Sequence, residues 1–450
     1  MPPAIDTIAA IATPAGRGAL GVIRISGPLT RQIAQQVAGP LPPPRSASLR
    51  NFRTADGRVL DQGLLLWFPG PHSFTGEDVV ELQGHGGPVV LDLLLRSLCA
   101  QGARIARPGE FSERAFLNGR MDLAQAEAIA DLIDAASAQA ATAALRSLEG
   151  EFSRRVTAIV EALTQLRIYV EGALDFSDED IPWLAHEQLH RQLATVMEQL
   201  QDLLGQAAQG RRLREGMTLT LTGQPNVGKS TLLNRLAGTD AAIVTEVAGT
   251  TRDTLRENIV LAGMPLTIVD TAGLRDSDDA IEREGIRRAW QALEKAEIAL
   301  FLVDDRVGLT ETDHALLKKL PSAVRPLIVS NKCDLSLRSP ARASEAGYSV
   351  IRLSAANGDG VDALTEEILR LAGVLTRTEG VFSARTRHID ALQRALSGVS
   401  AAKQRLEQGA AAELAAEELR LAQQALSEIT GEFTSDDLLG RVFSQFCIGK

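Results

Sequence analysis

The chain has 450 residues, 45% of them apolar, and a formal net charge of -10. That is room for about three packed domains, without the global basic surface that marks proteins held to nucleic acid by charge alone. Cys99, Cys333 and Cys447 are too few and too scattered for a disulfide framework, which points to a reducing compartment. No apolar run is long enough to span a bilayer and residues 1–10 carry no basic leader, so a soluble, cytoplasmic protein is expected.

In chain order, residues 1–119 read as a small α/β domain. Strands are predicted at 7–13, 19–26, 60–68 and 78–83, followed by an apolar helix over 89–99. The turn Gly84-His85-Gly86-Gly87 lacks the spacing of a dinucleotide fingerprint and reads as a plain strand-to-helix turn. From residue 120 the texture becomes helical, with helices predicted at 124–148, 152–173 and 186–207 and a polar, glycine-flanked hinge over 210–216. Residues 216–376 alternate strands (217–222, 259–261, 266–270, 299–303, 327–329, 350–353) with helices, the closing one predicted at 361–371, and residues 377–450 return to Ala/Leu/Glu-rich helices at 389–406, 411–429 and 435–446. The economical organisation is an N-terminal α/β domain (1–119) and a helical domain in two parts (120–215 and 377–450). Between those parts lies an inserted α/β domain (216–376), a placement tolerated because domain termini often lie close together.

The inserted domain carries the chemistry. Gly223-Gln224-Pro225-Asn226-Val227-Gly228-Lys229-Ser230-Thr231 fits the phosphate-loop pattern at every fixed position, between a predicted strand and a predicted helix. Its glycines let backbone N–H groups converge on phosphate oxygens, and the helix N-terminus adds partial positive charge. Lys229 reaches the β- and γ-phosphates, and the Ser230 hydroxyl binds Mg²⁺. Asn331-Lys332-Cys333-Asp334 selects the base, because the Asp334 carboxylate accepts both N1–H and the 2-amino group of guanine. Adenine offers no such pair of donors, so ATP would leave a carboxylate unpaired. Ser354-Ala355-Ala356 offers a backbone N–H to guanine O6. In Asp270-Thr271-Ala272-Gly273, Asp270 holds Mg²⁺ through water and the Gly273 N–H senses the γ-phosphate, while Thr251 is the candidate second Mg²⁺ hydroxyl. Leu274 follows Gly273 where many GTPases place a water-orienting Gln. Glu282, downstream in a charged stretch, is a candidate replacement, although pattern alone favours one of several solvated charges.

Three weaker signals are set aside. His186-Glu187-Gln188-Leu189-His190 matches a zinc-protease pattern, but no third ligand is evident and His190 lies on an apolar stripe with Leu193, Met197, Leu200 and Leu204. Cys447-Ile448-Gly449-Lys450 has the length of a prenylation box without its residues. Arg211, Arg212 and Arg214 are more economically a solvated hinge than a phosphate contact.

Taken together, the Asn226-containing phosphate loop, Gly249-Thr250-Thr251-Arg252-Asp253, residues 270–274 and the terminal Phe446-Cys447-Ile448-Gly449-Lys450 resemble the MnmE (TrmE) family of tRNA-modification GTPases. Residues 21–26, 74–78, 107–111 and 123–127 match it as well, so the resemblance covers essentially the whole chain. It implies an N-terminal α/β tetrahydrofolate-binding and dimerisation domain, a discontinuous helical domain and an inserted Ras-like P-loop GTPase domain. It further implies a homodimer that joins an MnmG-type FAD protein, using NADH on that partner, in a heterotetramer or larger complex. That assembly adds a carboxymethylaminomethyl or aminomethyl group to C5 of the wobble uridine of certain tRNAs. A 5,10-methylene- or 5-formyl-tetrahydrofolate supplies the one-carbon unit and maps to Arg24, Glu81, Arg120 and Lys450, position 120 being commonly Lys in the family. GTP contacts extend over Thr245, Glu246, Val247, Ala248, Gly249 and Thr250. K⁺ ligands map to Asn226, Thr245, Val247 and Thr250, the water-orienting carboxylate to Glu282, and Cys447 to a cysteine needed for tRNA modification but not for GTP hydrolysis. A ribosome-assembly or regulatory RNA-binding GTPase is the alternative, but it would normally carry a basic RNA-binding domain, and none is evident.

Overall fold

The computed structural model describes residues 6–175, 187–238, 256–270, 293–294, 296–373, 380–408, 412–432 and 436–449. The chain divides into two compact units, one of residues 1–130 with 424–450 and one of residues 131–423.

The first unit is built on a six-stranded sheet in the order β3-β4-β5-β2-β1-β6. Its strands are β1 (Ile8–Ile11), β2 (Leu20–Ser26), β3 (Ser48–Arg53), β4 (Val59–Phe68), β5 (Val79–His85) and β6 (Arg104–Ile105). All neighbours are antiparallel except β1 and β6. Alternation along β2 sends Ile23 and Ile25 to one face, where Ile33 of α1 (Thr30–Ala38) and Leu94 and Leu98 of α2 (Pro88–Ala100) complete a core without solvent. Arg24 and Ser26 therefore point to the opposite face. There Ile8, Ala10 and Phe111, the last from α3 (Glu110–Leu117), form a second, smaller cluster. Beside it Arg114, buried in α3, donates to Asp6 (2.6 Å), Glu110 (3.0 Å) and Glu77 (3.2 Å), so this buried guanidinium is paired.

The helix at the far end of the sequence also belongs here. Val442 and Phe443 of α14 (Asp436–Ser444), with Phe446, pack on Phe116, Leu123 and Ala126, the last two from α4 (Leu123–Ile133). Beyond it, Ile448 bridges to Pro108, the Gly109 N–H donates to Cys447 O (3.3 Å), and Gly449 lies against the Ile11 carbonyl.

The second unit combines helices with a seven-stranded sheet. α5 (Ala138–Leu148), α6 (Glu151–Asp175), α7 (Glu187–Glu215) and α12 (Thr386–Glu407) pack around Phe152, which stacks on Phe382 (centroids 4.5 Å apart). A further helix, α13, covers Ala412–Thr430. The single helix expected over 124–148 is two, because Ser137 turns extended and caps α5 by accepting from the Ala140 N–H (3.1 Å). No glycine or proline announces that break. Nor is 210–216 a hinge: α7 continues to Glu215, and Gly216 ends it with a positive φ of 68°. Gly210 serves close packing, since a Cβ there would lie 1.8 Å from Phe382 O. Gly210→Ala is accordingly expected to destabilise the protein by about 2–3 kcal/mol, read as a lowered Tm in calorimetry. The buried stripe of α7 is Leu189, Leu193, Val196, Leu200 and Leu203, which leaves His190 and Met197 half-buried on its flank. No cluster of potential metal ligands occurs among the described residues; His186 lies outside them.

One carboxylate ties the two ends of the inserted segment to the helices. Asp131 accepts from Arg214 Nε (2.7 Å), Arg385 Nη2 (2.8 Å) and Ser383 Oγ (2.6 Å). Arg214 ends α7 just before the sheet begins, while Ser383 and Arg385 follow it. With Arg212 paired to Glu297 (2.7 Å), two of the three arginines at this point have protein partners rather than the solvated setting expected of them.

The seven-stranded sheet has the order β12-β13-β11-β10-β7-β9-β8. Its strands are β7 (Met217–Gly223), β8 (Arg256–Leu261), β9 (Met264–Asp270), β10 (Ile298–Asp304), β11 (Arg325–Asn331), β12 (Ala341–Glu345) and β13 (Tyr348–Leu353). β9, β7, β10, β11 and β13 are parallel, and β8 and β12 form antiparallel edges. From β7 the chain passes first to the β9 side and then to β10 on the other, so strand order reverses between β7 and β10. Ligands of such sheets bind at the carboxyl ends of the strands beside that reversal. Among the described residues no helix is long and apolar enough to cross a membrane.

Candidate nucleotide site

The phosphate loop occupies that position. It leaves the end of β7 and enters α8 (Lys229–Gly238), whose N-terminus faces the crevice. Asn226 (φ 63°) and Gly228 (φ 97°) both take left-handed backbone conformations, curling the loop. At Gly228 the requirement is also one of space, because a Cβ would lie 2.4 Å from Asn331 Nδ2. Lys229 Nζ reaches back over the loop to Gly223 O (2.9 Å) and Gln224 O (3.1 Å), holding an ammonium at its mouth. Ser230 and Thr231 are exposed in the first turn of α8, and Val227 is buried beneath it.

One buried amide joins the segments expected to read the base. Asn331, at the end of β11, donates from Nδ2 to Val227 O (2.8 Å) and accepts at Oδ1 from the Ala355 N–H (2.9 Å). It thus fixes the phosphate loop to the segment Ser354-Ala355-Ala356 that follows β13. Lys332 donates to Asn226 O (2.6 Å) and to Asp304 Oδ2 (3.0 Å). Arg306 above all, with Lys332, holds the Asp304 carboxyl well below the usual carboxylate range. Asp334 then sits in the single turn α10 (Cys333–Ser336), its Oδ1 buried and without a hydrogen-bond partner among the described residues. A buried carboxylate oxygen of this kind demands a donor, and the adjacent N1–H and 2-amino groups of guanine meet that demand. The donor set therefore fits a guanine nucleotide.

Arg235 was not foreseen from the sequence. From α8 it donates to Ala355 O (3.2 Å) and Ala356 O (2.5 Å), clasping the third base-recognition segment to the helix that follows the phosphate loop. Its only sequence signal is its position six residues after Lys229, on the predicted helix that follows the phosphate loop. The expected residues Thr245, Glu246, Val247, Ala248, Gly249, Thr250, Thr251, Thr271, Ala272, Gly273 and Glu282, and the Asp270 side chain, lie outside the described residues, as does Lys450.

A second group of expected residues lies in the first unit. Arg24 and Glu81 are directly opposed on β2 and β5 and form an ion pair (3.0 Å). The Arg24 guanidinium lies 5.2 Å from the Phe74 ring centroid and 5.7 Å from that of Phe111. Arg120, exposed, runs its Cγ past Gly76 in the turn that carries Phe74. Gly449 rests on Ile11, one residue along β1 from Ala10, the cross-strand partner of Arg24. Cys447 is exposed and free.

A doubly wound sheet with a phosphate loop at its switch point and an Asn-Lys-x-Asp base site defines a P-loop GTPase. Two family profiles match the chain, "MnmE helical domain" over residues 123–447 and "GTP-binding protein TrmE N-terminus" over residues 7–120. The chain belongs to the MnmE/TrmE family of tRNA-modification GTPases. Among solved structures it is similar to Aquifex aeolicus Era bound to GDP·AlF4⁻, at 24% identity over 40% of this chain and 66% of that one, with a TM-score of 0.29. It is also similar to the FeoB G-domain from Methanococcus jannaschii (24% identity, 35% of this chain, 97% of that one, TM-score 0.26). The G domain of the T. maritima FeoB iron transporter gives 23% identity over 35% of this chain and 98% of that one, with a TM-score of 0.27.

Proposed function

We propose that this GTPase acts as a homodimer with an FAD-dependent, MnmG-type partner to install a carboxymethylaminomethyl or aminomethyl group on C5 of the tRNA wobble uridine. The reduced folate of this reaction supplies its one-carbon unit. The observation that carries this proposal is the convergence, in the first unit, of Arg24, Glu81, two aromatic rings and the chain's final residues. Rings and a carboxylate suit a pterin, whose edge is rich in N–H donors. Arg24, with Arg120 and Lys450, suits glutamyl carboxylates. Cys447, exposed and accepting the Gly109 N–H on its carbonyl, is the candidate for a role in modification that GTP hydrolysis does not need.

In the second unit, Lys229 and the N-terminus of α8 hold the β- and γ-phosphates, Ser230 and Thr251 present hydroxyls to Mg²⁺, and Asp334 reads the base. Asn226, with Thr245, Val247 and Thr250, offers oxygen ligands of the kind K⁺ takes. Glu282 orients the attacking water in place of the Gln that Leu274 displaces. The expected result in a strain lacking this protein is loss of the C5-substituted wobble nucleoside from digested tRNA. Retention of that nucleoside at normal levels would refute the proposal.

A further inference from the structure

Guanine and hypoxanthine differ by one exocyclic amine, and Asp334 is the group that reads it. Selectivity for guanine therefore depends on how firmly Asp334 is aimed. The turn that carries it is four residues long, between Lys332 (φ 69°) and Leu337 (φ 59°), both in left-handed conformations. A single turn of helix does not hold itself, so its orientation must come from outside.

It comes from Asp305, a buried carboxylate just past the end of β10. Ser330 Oγ, immediately before the base-recognition motif, donates to Asp305 Oδ1 (2.7 Å). Ser336 Oγ, at the end of α10, donates to Asp305 Oδ2. The Asp305 N–H donates to Asn331 O (2.8 Å). Arg352 of β13, two residues before Ser354, donates from Nε to Asp305 Oδ1 (2.9 Å). One side chain thus ties both ends of the 330–336 segment to the strand that leads into 354–356. Burial alone would push this carboxyl up, but Ser336, Ser330 and Arg352 together hold it below the usual carboxylate range, keeping it a charged acceptor.

We infer that Asp305 is a positioning residue for guanine selection, acting through Ser330, Ser336 and Arg352 to aim Asp334 at the 2-amino group. This rests on the base-site assignment made above. Among the described residues, no hydrogen bond joins the Asp305 side chain to the phosphate loop, which Asn331 holds at Val227; Asp305 reaches Asn331 only through its backbone N–H, which a side-chain substitution keeps. Its loss should therefore be felt at the base and spare the phosphates.

The test uses the full-length protein and displacement of a fluorescent GDP by GDP, inosine diphosphate or xanthosine diphosphate. Asp305→Asn, which keeps shape and the backbone bond to Asn331, is expected to narrow the preference for GDP over the inosine nucleotide by about tenfold. That is roughly what one hydrogen bond to a charged group is worth. Inosine diphosphate affinity should stay within about threefold of wild type. Ser336→Ala and Arg352→Gln should narrow the preference in the same direction by less. A parallel fall in affinity for both nucleotides, or an unchanged ratio in all three variants, overturns the inference. If Asp305→Asn fails to fold by circular dichroism, the other two variants decide. Asp334→Asn separates the underlying assignment, because an amide at 334 should favour the xanthosine nucleotide. If it does not, the base site itself is misassigned, whatever Asp305 does.

Discussion

Lys229→Ala is expected to lower kcat/KM for GTP by roughly 10²–10³, the usual cost of removing one preorganised electrostatic group from a charge-developing centre. The ammonium is the one cation that the phosphate loop itself carries. In the structure it donates to the carbonyls of Gly223 and Gln224, at 2.9 and 3.1 Å, at the mouth of the loop. Its removal should therefore leave thermal stability within about 0.5 kcal/mol of wild type. Phosphate release measured beside a thermal melt checks both halves. A variant that hydrolyses GTP at the wild-type rate would remove Lys229 from phosphate binding, and one that unfolds would make its role structural.

The second large effect is expected at Glu282. Leu274 cannot orient a water molecule, and with Glu282 in the proposed water-orienting role, Glu282→Ala should lower kcat by about 10²–10⁴ while the affinity for GTP is retained. Exchange of K⁺ for Na⁺ should likewise lower turnover without loss of nucleotide binding, since the proposed cation acts on developing charge rather than on the ground state. Single-turnover hydrolysis and equilibrium binding in the two salts separate these outcomes. Equal turnover in K⁺ and Na⁺ would remove the cation from the mechanism, and unchanged kcat in Glu282→Ala would leave that residue a solvated charge.

What the sequence revealed of the site follows from locality. Residues 223–231 and 331–334 must curl one short backbone around a ligand, and that constraint writes itself into spacing. Asp305, Arg235 and Arg352 act across strand ends and between elements, where no fixed interval relates them to the residues they hold. The fold was legible where periodicity was strong, as in β2, β5, α6 and α11 (Val361–Ala372). It was misread where one residue has two meanings: Gly210 resembles a helix breaker but serves contact with the Phe382 backbone. The Ala-rich run before Leu148 gave no sign that Ser137 caps a new helix. The short β3, α1 and the eight-residue α9 (Glu311–Lys318) escaped: α1 carries Ile33, Ala34, Val37 and Ala38 at helical spacing but is nine residues long with no side-chain cap, and α9 announces itself only by the capping box of Thr310 and Asp313. The packing of α14 on α3 and α4 is a long-range contact that no local pattern encodes.

That last contact has a bearing on biosynthesis. Phe116 and Leu123 emerge early from the ribosome, whereas the rings that cover them, Phe443 and Phe446, come near the other end of the chain. At roughly 5–20 residues per second, translating the span from 131 to 423 takes on the order of 15–60 s. For that interval the early segment waits with a greasy patch uncovered, so its core closes long after its own residues have been made.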